Sequence, residues 1–515
     1  MSIKELADGL QRGEFTSVSL IEAYVARIQE VNGVVRAVSE INPDAIEIAR
    51  ERDEERRAGQ ARGILHGIPF LAKDVFLTTD RLQTTAGCKA LQGTKPKFEA
   101  TVIRKLREQG AILLGKSALT QWSNGRSAQT APNGWSSFNG QCIAAYADYQ
   151  DPSGSSSGSA VSVRFGLCAF GLGTETEGSI TNPARKSAVI GFKPTSGLTS
   201  RHGSYTISEY QDSVGVHGRT VEDCAIALTA IAGVDPNDRF TPVDPLDGKN
   251  ADRPKEGTDF SSTMGLRDLE EVPEVPLQTD KVRRNAIQQA IEVMRGLGAT
   301  IVEDAKFLKW ETDEQRAADE QWNFAFRVQL RENIAKFLGS FDPIPNNMQN
   351  LSDLINYTMT DPEEHGEDYG VEDWLAAEKT GQSYTMGAQT KELLDRYQSD
   401  IYLCSASGWH PGMVGGYPTV SIPIGTFPPD TPVQKRPASG LVQKAPGVPF
   451  SIVMVARRWE DQRLLDIAHV FEQAMDIQVS LHLKIEPTVE IQCAPYGSLE
   501  PYNIGTFAHT LAPYS

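Results

Sequence analysis

The sequence predicts an α/β fold, and three observations carry that prediction. Segments with helical apolar spacing alternate with short apolar runs of strand length. Gly, Pro and Asn turns bound the runs. Forty per cent of the 515 residues are apolar, which is ample for a large buried core. Length alone suggests two to four domains.

The elements follow in order. Ser2 and Glu5 form a capping box for a short first helix. A second helix covers about 17–31, where Val18, Ile21, Val25 and Ile28 recur at helical spacing and Asn32-Gly33 stops it. Asn42-Pro43-Asp44 opens a charged third helix that runs to Gly59. All three have one apolar stripe and one wet face, the pattern of packing elements. From Gly63 the chain turns apolar: GILHGIPFLAKD (63–74) closes on Lys73-Asp74, and Thr84-Thr85-Ala86-Gly87 makes a small-residue loop. Residues 100–109 suit a helix, and Ala111–Leu114 suits a buried strand ending at Gly115-Lys116. Residues 152–197 are the densest in Gly and Ser. There PSGSSSGSA leads into a helix over 159–166, a strand over 168–172 follows, and Asn182-Pro183-Ala184 can begin another helix after a polar turn. Residues 220–233 are helical by apolar spacing, and 235–280, rich in Pro, Asp and Lys, reads as a surface excursion or linker. A helix over 281–297, the strand Ala299–Val302 and a mostly helical, polar stretch over 311–400 come next. Strands at Pro418–Pro423 and Pro449–Val455 and a helix at about 461–475 complete the pattern. Beyond 476 no pattern emerges, and the chain has no internal repeat.

Bulk properties exclude several functions. A net charge of -17 repels phosphate backbones, so nucleic acid is a poor partner. Six cysteines lie scattered without a CxxC pair, which fits neither a zinc site nor a disulfide framework. The opening MSIKELADGLQRGE has no apolar signal core, and no run of eighteen apolar residues occurs. The expectation is a cytoplasmic protein with no membrane span.

Chemistry concentrates in the serine-rich segment. Hydrolysing an amide needs a nucleophile that loses a proton, a stabilised oxyanion and a proton for the leaving amine. Successive N–H groups in the turn Thr176-Glu177-Gly178-Ser179 can converge on one oxygen, with the Ser179 hydroxyl beside them. Such a serine needs a base, and no histidine is adjacent, His202 and His217 lying some way downstream. Two other readings compete. Gly154-Ser155-Ser156-Ser157-Gly158 satisfies the GxSxG nucleophile elbow with Ser156 at its centre, but ADYQDPS before it is polar and carries a proline where a buried strand belongs. That reading also needs a histidine such as His410 or His469. Glu175 and Glu177 suggest a carboxylate pair, yet no ligand-like cluster accompanies them.

GSSSG at 154–158, GTETEGSI at 173–180 and Pro183-Ala184 resemble the signature of the amidase signature family, and GIPFLAKD resembles the segment that carries its catalytic lysine. The two serines stand 24 residues apart and Lys73 lies 82 residues before the first, both as in that family. GFKPTSGLTSRHG (191–203), GRTVEDCAIAL (218–228) and GYPTVSIPIG (416–425) are similar to its segments too, and the chain resembles its fungal-type amidases. The resemblance implies one large domain over 1–515, with a mixed central sheet covered by helices on both faces. Within it, 1–60 would be N-terminal helices, 63–235 the catalytic core and 236–400 a variable, mostly helical substrate side. Residues 401–475 would return to the core sheet, and 476–515 would be an atypical tail. It implies an amidohydrolase: Ser179 the nucleophile, Ser155 a bridging serine after a cis peptide, and Lys73 the general base and acid. Thr176, Glu177 and Gly178, with Ser156, would form the oxyanion and substrate-binding turn. Burial without a carboxylate partner would keep such a lysine neutral and basic. Asp74 need not pair with it, because adjacent side chains of an extended segment point to opposite faces. The implied partner is a small-molecule amide; the mechanism calls for no cofactor and no metal, and oligomeric state is not legible.

The chain departs from the family at Glu177, where Gly is common, and at Thr181-Asn182, where an arginine is common. After 263 it reads MGLRDLEEVPEVPLQTDK in place of an apolar strand, so that strand is either built differently or missing. These departures keep two alternatives open: a weakly active scaffold relative, and an acyltransferase using the same acyl-enzyme. Pocket residues are expected from 120–146, 311–400 and 405–416, with Trp122, Trp135 and Trp322 as apolar candidates that core packing explains equally well.

Overall fold

The computed structural model of the protein describes residues 1–127, 130–242, 254–255, 257–262, 271–275, 280–302, 313–343, 345–379, 389–405, 415–475 and 483–489. Helices α1 (Ile3–Arg12) and α2 (Ser17–Val35) precede strand β1 (Val38–Ile41) and α3 (Ala45–Arg57). Strand β2 (Pro69–Lys73), α4 (Thr101–Glu108) and β3 (Ile112–Ser117) follow, then the short hairpin β4 (Trp135–Ser136) and β5 (Gly140–Gln141). Next come α5 (Ser157–Phe165), β6 (Phe170–Glu175), α6 (Thr181–Ser187), β7 (Ile190–Lys193), β8 (Ser213–Gly218) and α7 (Val221–Ile231). The middle holds β9 (Glu271–Val275), α8 (Lys281–Gly296), β10 (Thr300–Val302), α9 (Asp313–Leu338), α10 (Leu351–Thr360), α11 (Gly366–Tyr369), α12 (Glu372–Glu378) and α13 (Gln389–Arg396). Strands β11 (Ile401–Ser405), β12 (Thr419–Thr426), β13 (Gln434–Lys435), β14 (Val442–Lys444) and β15 (Pro449–Ala456) lead to α14 (Asp461–Met475).

Eleven strands form one mixed sheet in the order β1-β3-β2-β6-β8-β7-β12-β15-β11-β9-β10. β3-β2-β6 and β11-β9-β10 run parallel, and the strands between are antiparallel. Helices cover both faces. Ser156, just before α5, stands beside His217, whereas Cys224 of α7 lies over the next residue, Gly218. Neighbouring strand residues face opposite sides, so α5 and α7 sandwich the sheet. The continuous apolar run of β15, buried at every residue, is what a central strand covered on both sides requires. Pro423 falls where β12 has parted from β7 and slips in register against β15, a position where a missing N–H is harmless.

The α/β expectation and most element positions stand, with differences that have physical causes. β6 runs on past 172 to Glu175, because the polar GTE end is wholly buried against its neighbours. β7, β8 and β11 carry no sequence pattern of their own. They are short and covered on both faces, so hydrophobic alternation is lost. The 235–280 stretch is more than a linker: Asp235, Asp238, Phe240 and Thr241 are buried, and β9 adds a parallel strand to the sheet. The strand after 263 is thus built differently, from EVPEV, and Pro273 stands within it opposite Val302. Of the tail after 476, residues 483–489 are described; they run past α2, with Lys484 N–H donating to Ala145 C=O and Thr488 bonding Glu30.

Candidate active site

β2 ends on Lys73, which is fully buried. Its Nζ donates to Ser155 Oγ at 2.7 Å and to Thr174 Oγ1 at 2.8 Å. No described carboxylate comes within ion-pair distance, although Asp212 and Glu175 act on it from farther away. Burial outweighs both and pulls the ammonium down to about 7. Asp74 points the other way, as the alternation of an extended strand requires. It accepts the Thr85 N–H at 3.0 Å and the Thr85 hydroxyl, and lies 4.0 Å from Lys116 Nζ.

Ser155 follows a cis Gly154–Ser155 bond and is fully buried, its C=O accepting the Thr120 N–H at 3.0 Å. The next N–H, of Ser156, donates to Ser179 C=O at 3.0 Å and ties the two serine segments together. Thus the structure brings Lys73, Ser155 and the Ser179 backbone to one place from three separate stretches of chain. Ser179 is 9 % exposed, while Lys73 and Ser155 are fully buried.

The turn is shaped by Gly178, whose φ of 72° places it in the left-handed region; a Cβ there would strike the Asn182 amide. The turn is locked by Glu175. Its carboxylate accepts the N–H groups of Ile180 at 2.6 Å and Thr181 at 2.8 Å, where α6 begins. A carboxylate at a helix N-terminus satisfies donors that the helix leaves open. The carboxylate-pair reading of Glu175 and Glu177 therefore fails, since Glu175 is occupied by the backbone. Sequence reasoning had no signal for this role, nor for Asp212. Asp212 takes the Thr176 hydroxyl and the N–H groups of Ile207 at 2.6 Å and Ser208 at 3.2 Å, fastening the start of the turn to a loop after β7. Glu177 is half-buried; burial, with Glu175 adding to it, pushes its carboxyl up to about 7.

Ser156 was expected in the oxyanion and substrate-binding turn. Its hydroxyl is bound to the Thr174 backbone, donating to C=O at 3.2 Å and accepting N–H at 3.3 Å. No strand precedes it, which removes the structural basis of the elbow reading. Of the histidines that reading needs, His410 lies outside the described residues and His469 sits on α14. Trp122 belongs to the core, stacked edge-on against Tyr205, Phe337 and Trp374. Trp135 meets Tyr369 and His365 edge-on, and Trp322 falls on α9. Among the described residues no helix is long and apolar enough to cross a membrane, and no group of three His, Cys, Asp or Glu could hold a metal ion.

Known proteins resemble this chain over most of its length. The family model described as Amidase matches residues 19–366. A relative from Arthroderma benhamiae that bears an amidase name is 35 % identical over 95 % of this chain and 88 % of its own. One from Arabidopsis thaliana, also bearing an amidase name, is 33 % identical over 92 % of this chain and 90 % of its own. The crystal structure of a peptide amidase from Stenotrophomonas maltophilia superposes with a TM-score of 0.78 at 29 % identity, covering 95 % of this chain and 99 % of that one.

Proposed function

The chain belongs to the amidase family of amide-hydrolysing enzymes, and from that premise we propose that it cleaves a carboxylic amide through an acyl-enzyme on Ser179. The observation that carries the reading is the 2.7 Å contact between a buried Lys73 and Ser155, with only hydroxyl groups as its hydrogen-bond partners among the described residues. A hydroxyl can take a proton and pass one on, which a carboxylate held in an ion pair does not do.

Neutral Lys73 accepts the Ser155 proton while Ser155 takes that of Ser179, whose oxygen attacks the amide carbonyl carbon. Negative charge develops on the carbonyl oxygen, and backbone N–H groups of the Thr176–Ser179 turn receive it. Lys73, now an ammonium, returns the proton through Ser155 to the leaving nitrogen as the C–N bond breaks. Water then repeats the sequence on the ester: it loses a proton through the same relay, attacks, and releases the acid and Ser179.

The substrate amide is a small molecule. The likeness to a peptide amidase puts C-terminal peptide amides first in a substrate panel, ahead of aryl and aliphatic amides. The decisive experiment labels the wild-type protein with a fluorophosphonate, maps the adduct, and runs the panel on wild type and Lys73→Ala. Labelling at Ser179 and a fall in kcat/KM of about a hundredfold to ten-thousandfold in the variant are expected. Labelling elsewhere, or an unimpaired Lys73→Ala, would reject the mechanism.

A further inference from the structure

The residues around Ser179 are fixed at several points, most of them within the serine-rich segment. Ser156 N–H holds the Ser179 C=O at 3.0 Å, Asn182 N–H holds the Gly178 C=O at 2.9 Å, and Glu175 holds the Ile180 N–H at 2.6 Å. Another comes from β8: His217 Nε2 lies 2.9 Å from the Ile180 C=O. A carbonyl only accepts, so the ring proton sits on Nε2 and Nδ1 carries a lone pair.

We infer that His217 is a positioning residue for the nucleophile: its Nε2–H fixes the Ile180 carbonyl, and with it the residue that follows Ser179. The inference rests on the reading of Ser179 as the nucleophile.

The surroundings are built for an imidazole at this place. Gly173 of β6 has no side chain, and a Cβ there would come within 3.0 Å of His217 Cε1 and 2.9 Å of Ser156 Oγ. The ring and the Ser156 hydroxyl thus occupy the space over Gly173. It is fully buried, and its antiparallel partners in the sheet are Gly171 on β6 and Gly191 on β7. Lys73 is the charged group that acts on it; burial first, then that ammonium, hold the ring neutral down to about 4. His217 therefore stays a neutral donor while Lys73 changes state. Its Nδ1 is buried and meets no donor among the described residues. An acceptor left in that state costs stability. The Ile180 C=O, in contrast, keeps a second donor, the Ala184 N–H at 3.1 Å. The ring is thus poorly suited to a purely stabilising role and well placed for aim.

The test compares His217→Leu, His217→Gln and His217→Asn with wild type for fluorophosphonate labelling rate at Ser179 and for Tm. Leucine removes both the donor and the orphaned nitrogen, so Tm should hold or rise while labelling slows on the order of tenfold to a hundredfold. Glutamine places an N–H where Nε2 was and should restore most of the rate. Asparagine is too short and should not, which keeps the comparison decisive if the leucine variant fails to fold. In amide turnover the loss should appear in kcat with KM retained. Wild-type labelling speed in a folded leucine or asparagine variant, or a glutamine variant as slow as asparagine, would overturn the inference. Wild type that does not label at Ser179 would instead reject the nucleophile assignment beneath it.

Discussion

Two lysines end up buried one strand apart, and the molecule uses them in opposite ways. Lys73 closes β2, and Lys116 stands on β3 opposite Ala72, its immediate neighbour. Burial depresses both ammonium groups. Lys116 meets the Phe76 C=O at 2.7 Å, the Thr84 hydroxyl at 2.8 Å and the Asp74 carboxylate at 4.0 Å. Lys73 meets two hydroxyls. A carbonyl and a nearby carboxylate both favour the charged form of the amine. Two hydroxyls leave the amine free to exchange protons. Burial alone therefore does not make a basic lysine; the chemistry of its nearest partners decides.

Exchanging each lysine for methionine should split activity from stability. Lys73→Met should lose about a hundredfold to ten-thousandfold in kcat/KM yet hold or gain Tm, since it removes a buried amine from a site with no ion pair to break. Lys116→Met should keep its activity per folded molecule and lose about 3–5 kcal/mol in denaturant unfolding at pH 8, because Asp74 is left buried without its cation. At acid pH the second loss shrinks, since burial raises the Asp74 carboxyl and lets it take a proton. The Lys73 pair also carries a pH signature. Its ammonium falls from 10.5 when unfolded to about 7 when folded, so its contribution to stability is complete above 10.5 and is lost as pH falls toward 7. The advantage of Lys73→Met should thus be greatest at or below pH 7, shrinking by at most about 1.4 kcal/mol per pH unit on the way to 10.5. A variant equally stable relative to wild type at pH 7 and pH 10 would contradict a depressed Lys73.

A smaller change should convert one lysine toward the other. Thr174→Asp puts a carboxylate where the 2.8 Å hydroxyl stood, giving Lys73 the kind of partner Lys116 has. The acid limb of the rate profile, which the proposed mechanism assigns to Lys73 losing its proton near 7, should move up by about one to three pH units. Thr174→Val removes the hydroxyl without adding charge and should leave the limb near or below its place. An unmoved limb in the aspartate variant would mean that Lys73 does not set it.

Much of this was readable in the chain. The meeting of Lys73 with Ser155, and of the Ser155 and Ser179 segments, was legible because a three-part motif fixes both residue type and spacing. The capping box at Ser2 and Glu5 and the stops at helix ends were legible because they are local. What stayed hidden depends on contacts between distant segments. Glu175, read from sequence as one of a doubtful carboxylate pair, turns out to cap α6. Asp212 reaches Thr176 from a loop 36 residues away in sequence, and His217 reaches the Ile180 carbonyl from β8. β7 and β8, which flank that loop and of which β8 carries His217, are short, Gly-containing and covered on both faces, so no period marks them. The departure feared after 263 proved to be a strand with a proline in it, which no alternation rule anticipates.

Glu177 gives the smallest expected effect and the finest test of how charge near Lys73 is managed. Its carboxyl, raised to about 7 first by burial and then by Glu175, ionises over the same range in which Lys73 becomes neutral. Raising pH therefore does two opposed things: it frees the base, and it puts a negative charge beside the turn that must receive a developing oxyanion. Wild-type rate should climb through pH 7 and then level early or decline. Glu177→Gln keeps the shape and removes the charge, so its rate should match wild type at pH 6 and exceed it by a factor of about two to five at pH 9. Stability should follow the same sign. A carboxyl raised on folding contributes fully below 4.5 and loses that contribution as pH rises through 7, so the glutamine variant should gain Tm over wild type only on the alkaline side. Equal rates at pH 9 would show that the Glu177 carboxylate turns away from the turn once it is charged, leaving Lys73 alone to shape the profile.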